Sequence, residues 1–310
     1  MSDKIFIVGH KSPDLDSVAA AIFYAEYKNK IAGEDKYAPA AAGELNRETI
    51  YVLEKFGFNA PEILDSVEEK TVILVDHNAT SQSVSGIEKA KVVEVLDHHK
   101  VDFRGTEPIE FLTKPVGATC SIIAQKYFDS KMEISKNSAG LALSAILVDT
   151  VITKSPTCSS VDKEIIEKLS EIAGVADWKE FGMELFKIKS SIKNLGEAEI
   201  IKSDFKDFDF KAGKFGIGSV ETVALEEFTP REDNLLAEMK KIKENEAYHT
   251  IILFMIDIIN EGSQFLILSD DEEKVGQALG GEFKNNRAYF QGVLSRKKQV
   301  VPKLTEAFDK

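Results

Sequence analysis

Three apolar runs in this chain end in side chains able to hold metal ions. Residues 5–8 lead into Gly9-His10, residues 71–75 into Asp76-His77-Asn78, and residues 92–96 into Asp97-His98-His99. Asp14 and Asp16 follow just behind His10. Imidazoles and carboxylates without thiolates suit Mn²⁺, Co²⁺, Fe²⁺ or Zn²⁺ better than an all-oxygen Ca²⁺ cage. His10, His98 and several aspartates exceed what one tetrahedral ion needs. A carboxylate shared by two ions about 3.5–4 Å apart would use the surplus, and Asp76, at the end of a central strand, is the natural bridge. Two such ions would bring a water between them close to ionising at neutral pH, giving a hydroxide nucleophile for phosphoryl transfer. The negative oxygens of a phosphate then need cations. Arg296-Lys297-Lys298 supplies them, with the arginine fork matched to phosphate geometry. Lys206 is a further candidate.

Such side chains converge only if the runs lie side by side. A short apolar run bounded by polar residues reads as a buried strand, and an open parallel sheet binds ligands at the carboxyl ends of its strands. Residues 4–8 predict a first strand and 9–17 a turn. The Ala-rich stretch 18–28 has apolar residues at helical spacing, so a helix is expected to start near Ser17, with Asp16 or Ser17 as its N-cap. A second strand–helix unit is expected over 37–42 and 47–56. Further helices are expected over 118–128, 141–151 (broken by Ser155-Pro156-Thr157), 161–173 and 178–188. Strands alternating with helices argue for a parallel sheet covered on both faces. The polar stretch 187–197 lacks a sustained apolar face and marks a boundary. Beyond it, 208–210, 215–223, 251–259 and 265–268 read as strands and 231–246 as a charged helix, an α+β or mixed-sheet half. The chain therefore reads as an α/β domain over 1–188, a linker over 189–196 and a smaller α+β domain over 197–310.

Composition narrows the class. At 310 residues the chain exceeds what a single core usually supports. With 43% hydrophobic and 29% charged residues it reads as a soluble globular protein. The longest apolar run, 251–259, is interrupted by Asp257 and is too short to cross a bilayer. Residues 1–4 carry no signal-peptide pattern, so a cytoplasmic location without membrane contact is expected. Cys120 and Cys158 lie outside zinc-type spacings and read as small buried thiols. A net charge of −13 opposes general binding to nucleic acid, which depends on Lys and Arg at phosphates.

Gly9-His10-Lys11-Ser12-Pro13-Asp14-Leu15-Asp16-Ser17, Val75-Asp76-His77-Asn78, Asp97-His98-His99 and Ser295-Arg296-Lys297-Lys298-Gln299 together resemble the four signatures of the family II, manganese-dependent inorganic pyrophosphatases of the DHH phosphoesterase superfamily. The first three mark the superfamily; the fourth is far more specific to the pyrophosphatases. The resemblance covers essentially the whole chain. It implies an N-terminal DHH domain, a parallel sheet with helices on both faces, and a C-terminal DHHA2-like domain that closes over it. It implies one metal on His10, Asp14 and Asp76 and a second on Asp16, Asp76, His98 and Asp149. Asp149 enters only through this resemblance. His99 would be the general acid that protonates the departing phosphate, and Lys206, Arg296 and Lys297 would grip the substrate, pyrophosphate. Two Mn²⁺ per subunit, or Co²⁺ in their place, are implied, with additional Mg²⁺ carried by the substrate, and a homodimer formed through the N-terminal domain.

Other readings stand beside this one. Superfamily members also cleave polyphosphate, short oligonucleotides or cyclic dinucleotides. Those that bind nucleic acid usually carry a Gly-Gly-Gly-His-type motif, of which Gly280-Gly281 lacks the third glycine and the histidine. A non-catalytic metal- or phosphate-binding module would leave His99 without a task. Asp149 could be a satisfied buried acid, and Arg296-Lys297-Lys298 a solvated basic run. His77 reads as a support for the site rather than a ligand, and His249 as structural.

Overall fold

A computed structural model of the chain describes residues 4–105, 107–193 and 195–309. They fall into two compact units divided between Leu185 and Phe186. The first contains strand β1 (Ile5–Lys11), helix α1 (Leu15–Ala32), β2 (Tyr37–Ala42), α2 (Arg47–Lys55), β3 (Glu62–Ile63), β4 (Thr71–Val75), β5 (Lys91–Asp97) and β6 (Glu110–Thr113). Helices α3 (Thr119–Asp129), α4 (Lys136–Asp149) and α5 (Ser160–Ala173) follow, and α6 (Trp178–Lys189) runs across the division.

The six strands form one parallel sheet in the order β3-β2-β1-β4-β5-β6. Successive residues of a strand point to opposite faces. Ile7, Ile73, Val75 and Leu96 join the core built with the long helices, whereas Val8, Val72, Leu74 and Val95 pack with Leu64, Val67 and Val84 on the other side. Burial on both faces is why these strands are continuous apolar runs rather than alternating ones. The second face is closed by connecting segments and two single 3₁₀ turns, Thr80–Gln82 and Ile87–Lys89. The chain leaves β1 on one side to build β2 and β3 and returns on the other to build β4. The β1–β4 junction is therefore a switch point, where the carboxyl ends of the strands open a crevice.

The turn from β1 into α1 is tight. A Cβ on Gly9 would lie 1.8 Å from Ser17 Oγ, and the His10 N–H donates to that same oxygen at 3.1 Å. The N-cap is Asp14, not Asp16 or Ser17: its Oδ1 accepts the Ser17 N–H at 2.9 Å, so α1 begins at Leu15. At the other end of the expected 141–151 helix, α4 stops at Asp149, ahead of the Ser-Pro break. Val151, Ile152 and Thr153 then adopt φ of 49°, 51° and 66°, a left-handed course unusual for β-branched residues. The Ile152 N–H returns to the Leu147 carbonyl at 2.8 Å, which ends the helix without proline.

The second unit contains α7 (Glu197–Lys202), β7 (Phe205–Phe210), β8 (Gly213–Thr222), α8 (Glu232–Asn245), β9 (Thr250–Asp257), β10 (Gly262–Ser269), α9 (Glu272–Leu279), β11 (Arg287–Gln291) and α10 (Val301–Phe308). Its sheet runs β11-β10-β9-β8-β7, with β8 and β9 parallel and the other neighbours antiparallel. Val275, Leu279, Leu304 and Phe308 of α9 and α10 cover one face; Ile200, Ile201, Leu235 and Met239 of α7 and α8 cover the other. Among the described residues no helix is long and apolar enough to cross a membrane.

Candidate metal centre

The carboxyl ends of β1, β4 and β5 bring His10, Asp76 and His98 together, because these strands are neighbours in the sheet. The N-terminus of α1 adds Asp14 and Asp16, and the last residue of α4 adds Asp149. One donor atom from each of His10, Asp14 and Asp76 lies within 4.8 Å of the others, and the same holds for Asp16, Asp76, His98 and Asp149. Asp76 belongs to both groups. His10 Nε2 is 3.5 Å from Asp14 Oδ2 and 3.5 Å from Asp76 Oδ2, while His98 Nε2 is 3.3 Å from Asp76 Oδ1 and 3.9 Å from Asp149 Oδ2.

The rest of each imidazole is fixed by the backbone. His10 Nδ1 donates to the Lys11 carbonyl and His98 Nδ1 to the Val116 carbonyl, each at 3.0 Å. Each ring therefore presents Nε2 to the carboxylates, as ligating histidines do. His77 is buried and engaged at both nitrogens, by the Val75 carbonyl and Ser83 Oγ, each at 2.9 Å. It supports the end of β4 and offers no free nitrogen.

The electrostatics of this cluster call for positive charge. Burial pushes Asp16 up to about 7, with Asp76 adding repulsion, and pushes Asp149 well above the carboxylate range. Burial alone would lower the histidines, but Asp14 and Asp76 carry His10 up to about 11, and Asp76 and Asp16 carry His98 up to about 10. A divalent ion would supply that positive charge. Asp76 Oδ2 and His98 Nε2 are buried without a hydrogen-bond partner, a costly state for polar atoms that a divalent ion would satisfy. The donor set, its deprotonation demand and these two orphaned atoms fit a metal pair.

His99 is held differently. Its backbone N–H and Nδ1 both reach Asp97 Oδ1, at 3.0 and 2.9 Å. Asp97 is itself buried and accepts from Asn78 Nδ2 at 2.5 Å. Asp97 raises the His99 imidazole above its ordinary value, and the ring is half exposed, with 48% of its side chain open to solvent. It lies at the rim of the cluster.

The loop between β6 and α3, with the first residues of α3, was not legible as part of the site. The Thr119 and Cys120 N–H groups donate to Asp16 at 2.6 and 3.1 Å, and Thr119 Oγ1 donates to Asp76 Oδ1 at 3.0 Å. The helix expected over 118–128 has Pro115-Val116-Gly117 ahead of it, but nothing in that composition signals what its backbone touches.

Lys206, Arg296 and Lys297 lie in the second unit and line one cleft of about 480 Å³ with Asp204, Glu221 and Ser295. Arg296 starts a π-helical turn, Arg296–Val300, capped by Ser295 Oγ, which accepts the Lys298 N–H at 3.2 Å. The Arg296 guanidinium is already engaged, with Nη2 on both Asp204 carboxylate oxygens at 2.7 and 2.9 Å and Nη1 on the Ile217 carbonyl at 3.0 Å. The side chains of Lys206 and Lys297 make no hydrogen bond or ion pair among the described residues.

Comparisons with known proteins agree on the class. Residues 4–146 match the DHH family N-terminal domain and residues 183–307 the DHHA2 domain. A manganese-dependent inorganic pyrophosphatase of Methanothrix thermoacetophila is 48% identical over 313 residues, covering 100% of both chains. One from Methanocaldococcus jannaschii is 42% identical over 312 residues, covering 98% of this chain and 99% of its own. A crystal structure from Methanococcus jannaschii, assigned to the family II inorganic pyrophosphatases, superposes with a TM-score of 0.65 at 41% identity, covering 99% of this chain and 100% of its own.

Proposed function

Since the chain belongs to the manganese-dependent, family II inorganic pyrophosphatases, a DHH–DHHA2 family of hydrolases, we propose that it hydrolyses inorganic pyrophosphate to two orthophosphates with two Mn²⁺ held on its N-terminal domain. His10, Asp14 and Asp76 would hold one ion, and Asp16, Asp76, His98 and Asp149 the other. When bound, the ions supply Lewis acidity, lowering the pKa of water towards neutrality and neutralising phosphate oxygens. Co²⁺ would be accepted by the same donors, and Mg²⁺ would arrive with the substrate.

His99 acts as the general acid. Asp97 fixes its Nδ1, so the proton it gives to the departing phosphate leaves from Nε2. Lys206 and Lys297 bind the phosphate oxygens as point charges and Arg296 as a fork. The assignment takes residues 1–188 as the catalytic domain, 189–196 as a linker and 197–310 as the substrate-binding domain. A cytoplasmic homodimer formed through the N-terminal domain, without nucleic acid as a partner, completes the proposal.

One observation carries the reading: three neighbouring strand ends and two helix ends deliver seven imidazole and carboxylate groups to one crevice. Orthophosphate release from pyrophosphate by the Mn²⁺-loaded chain tests it, with metal content measured on the same sample and a short oligonucleotide as the competing substrate. Turnover of pyrophosphate at two bound ions per chain is expected. Two bound ions without turnover, or cleavage of the oligonucleotide alone, would end it.

A further inference from the structure

Asp162 sits in the first turn of α5, is 0% exposed and, among the described residues, hydrogen-bonds to none of the candidate metal ligands. Its Oδ2 accepts the Ser159 N–H and Oγ–H, each at 2.7 Å, and Ser159 Oγ accepts the Asp162 N–H at 3.3 Å, which closes a capping box on α5. Capping explains those bonds and the helix start. It does not explain two others. Asp162 Oδ2 also accepts the Gly117 N–H at 2.8 Å, and Oδ1 accepts Ser121 Oγ–H at 2.6 Å. Both donors belong to the turn that joins β6 to α3 and to the first turn of α3.

That turn is the backing of the metal centre. Val116 supplies the carbonyl that orients His98, Thr119 and Cys120 supply the N–H groups that hold Asp16, and Thr119 Oγ1 holds Asp76. Gly117 lies against the residue after Asp149: a Cβ there would stand 2.5 Å from Thr150 Cγ2. The turn therefore reaches Asp16, Asp76 and His98 directly and the end of α4 beside Asp149. Among the described residues its hydrogen bonds reach neither His10 nor Asp14. A buried carboxylate with four donors fixes its neighbours rigidly, because an unmet donor in that place would be costly.

We infer that Asp162 is a positioning residue for one ion of the pair, the one assigned to Asp16, Asp76, His98 and Asp149, and that it acts through the Val116–Cys120 backbone. The inference rests on that ligand assignment. Groups behind metal ligands typically alter affinity about 10–100-fold. Asp162→Ala leaves the Gly117 N–H and Ser121 unanswered and frees the turn. Asp162→Asn can keep its oxygen on Gly117 and turn its amide to Ser121 Oγ, which accepts as readily as it donates.

The test is a Mn²⁺ titration of the metal-free full-length chain, resolving two sites, with thermal unfolding measured alongside. Asp162→Ala is expected to weaken one site about 10–100-fold while changing the other far less, and Asp162→Asn to restore it towards wild type. Ser159→Ala, which breaks the helix cap but leaves the Gly117 bond, is the control: it lowers the unfolding temperature without weakening either site. Equal weakening of both sites, unchanged affinity in Asp162→Ala, or a Ser159→Ala effect as large as that of Asp162→Ala would overturn the inference. Should Asp162→Ala fail to fold, Ser121→Ala carries the same test with a smaller expected loss, and unchanged affinity there overturns it. Pyrophosphate turnover of the wild-type chain is read separately, so failure of the enzymatic reading and failure of this one remain distinct.

Discussion

Asp76 leaves β4 with a φ of 61°, a left-handed conformation that costs a residue other than glycine about 1–3 kcal/mol. The strain falls where its two oxygens face His10 and His98 separately. A bridging role predicts that Asp76→Ala loses both ions together, read as metal content after dialysis; a protein that keeps its full pair would refute the bridge. His99→Gln should leave metal content intact and lower kcat by about 10²–10⁴, so unchanged turnover would remove the general acid from the scheme. At this scale His10, Asp14, Asp16, Asp76 and His98 were legible because each sits at or just beyond an apolar run. Asp149 was not, since it lies inside a helix and only the family resemblance reached it. Asp162, Thr119 and Asp204 left no trace, because their roles depend on partners distant in sequence or on backbone atoms that every residue has.

At the scale of elements, β5 shows how the sheet tolerates a charge in its core. Glu94 is 3% exposed and accepts from Tyr24 Oη and from Lys28 Nζ, the latter at 2.8 Å, both on α1. Burial alone would lower the Lys28 ammonium, but Glu94 outweighs it and holds Lys28 above 10.5. A raised folded value means a contribution fully present below about 10.5 and lost as pH rises through the folded value. The difference in urea midpoint between wild type and Lys28→Met should therefore stay constant from about pH 6 to 9 and begin to close above about 10.5; a gap that widens there would reverse the assigned sign. The elements themselves were largely legible, since parallel strands buried on both faces announce themselves as apolar runs. The start of α1 was misplaced because Asp14, Asp16 and Ser17 are all good caps, and only the geometry of the Gly9 turn selects Asp14. The end of α4 was misplaced because a left-handed run of Val, Ile and Thr contradicts their propensities.

Over the whole chain, the candidate ligands all belong to residues 4–149, inside the unit that ends at Leu185. A ligand stabilises only what binds it. Calorimetry with and without Mn²⁺ should raise the transition of the first unit and leave that of residues 186–309 nearly in place; a common shift would mean that the two unfold as one. The polar stretch near 190 lies a few residues beyond the division between Leu185 and Phe186, which falls within α6.

The cleft in the second unit has its own arithmetic. Lys206, Arg296 and Lys297 face Asp204 and Glu221 there, a surplus of one positive charge on a molecule whose total is −13. With Arg296 already clasped by Asp204, a bare polyanion would meet a weak trap in a repulsive field. The chain stripped of divalent ions should then hardly retain pyrophosphate in equilibrium dialysis, and the form it captures in the cell would be the one that brings its own counter-charge.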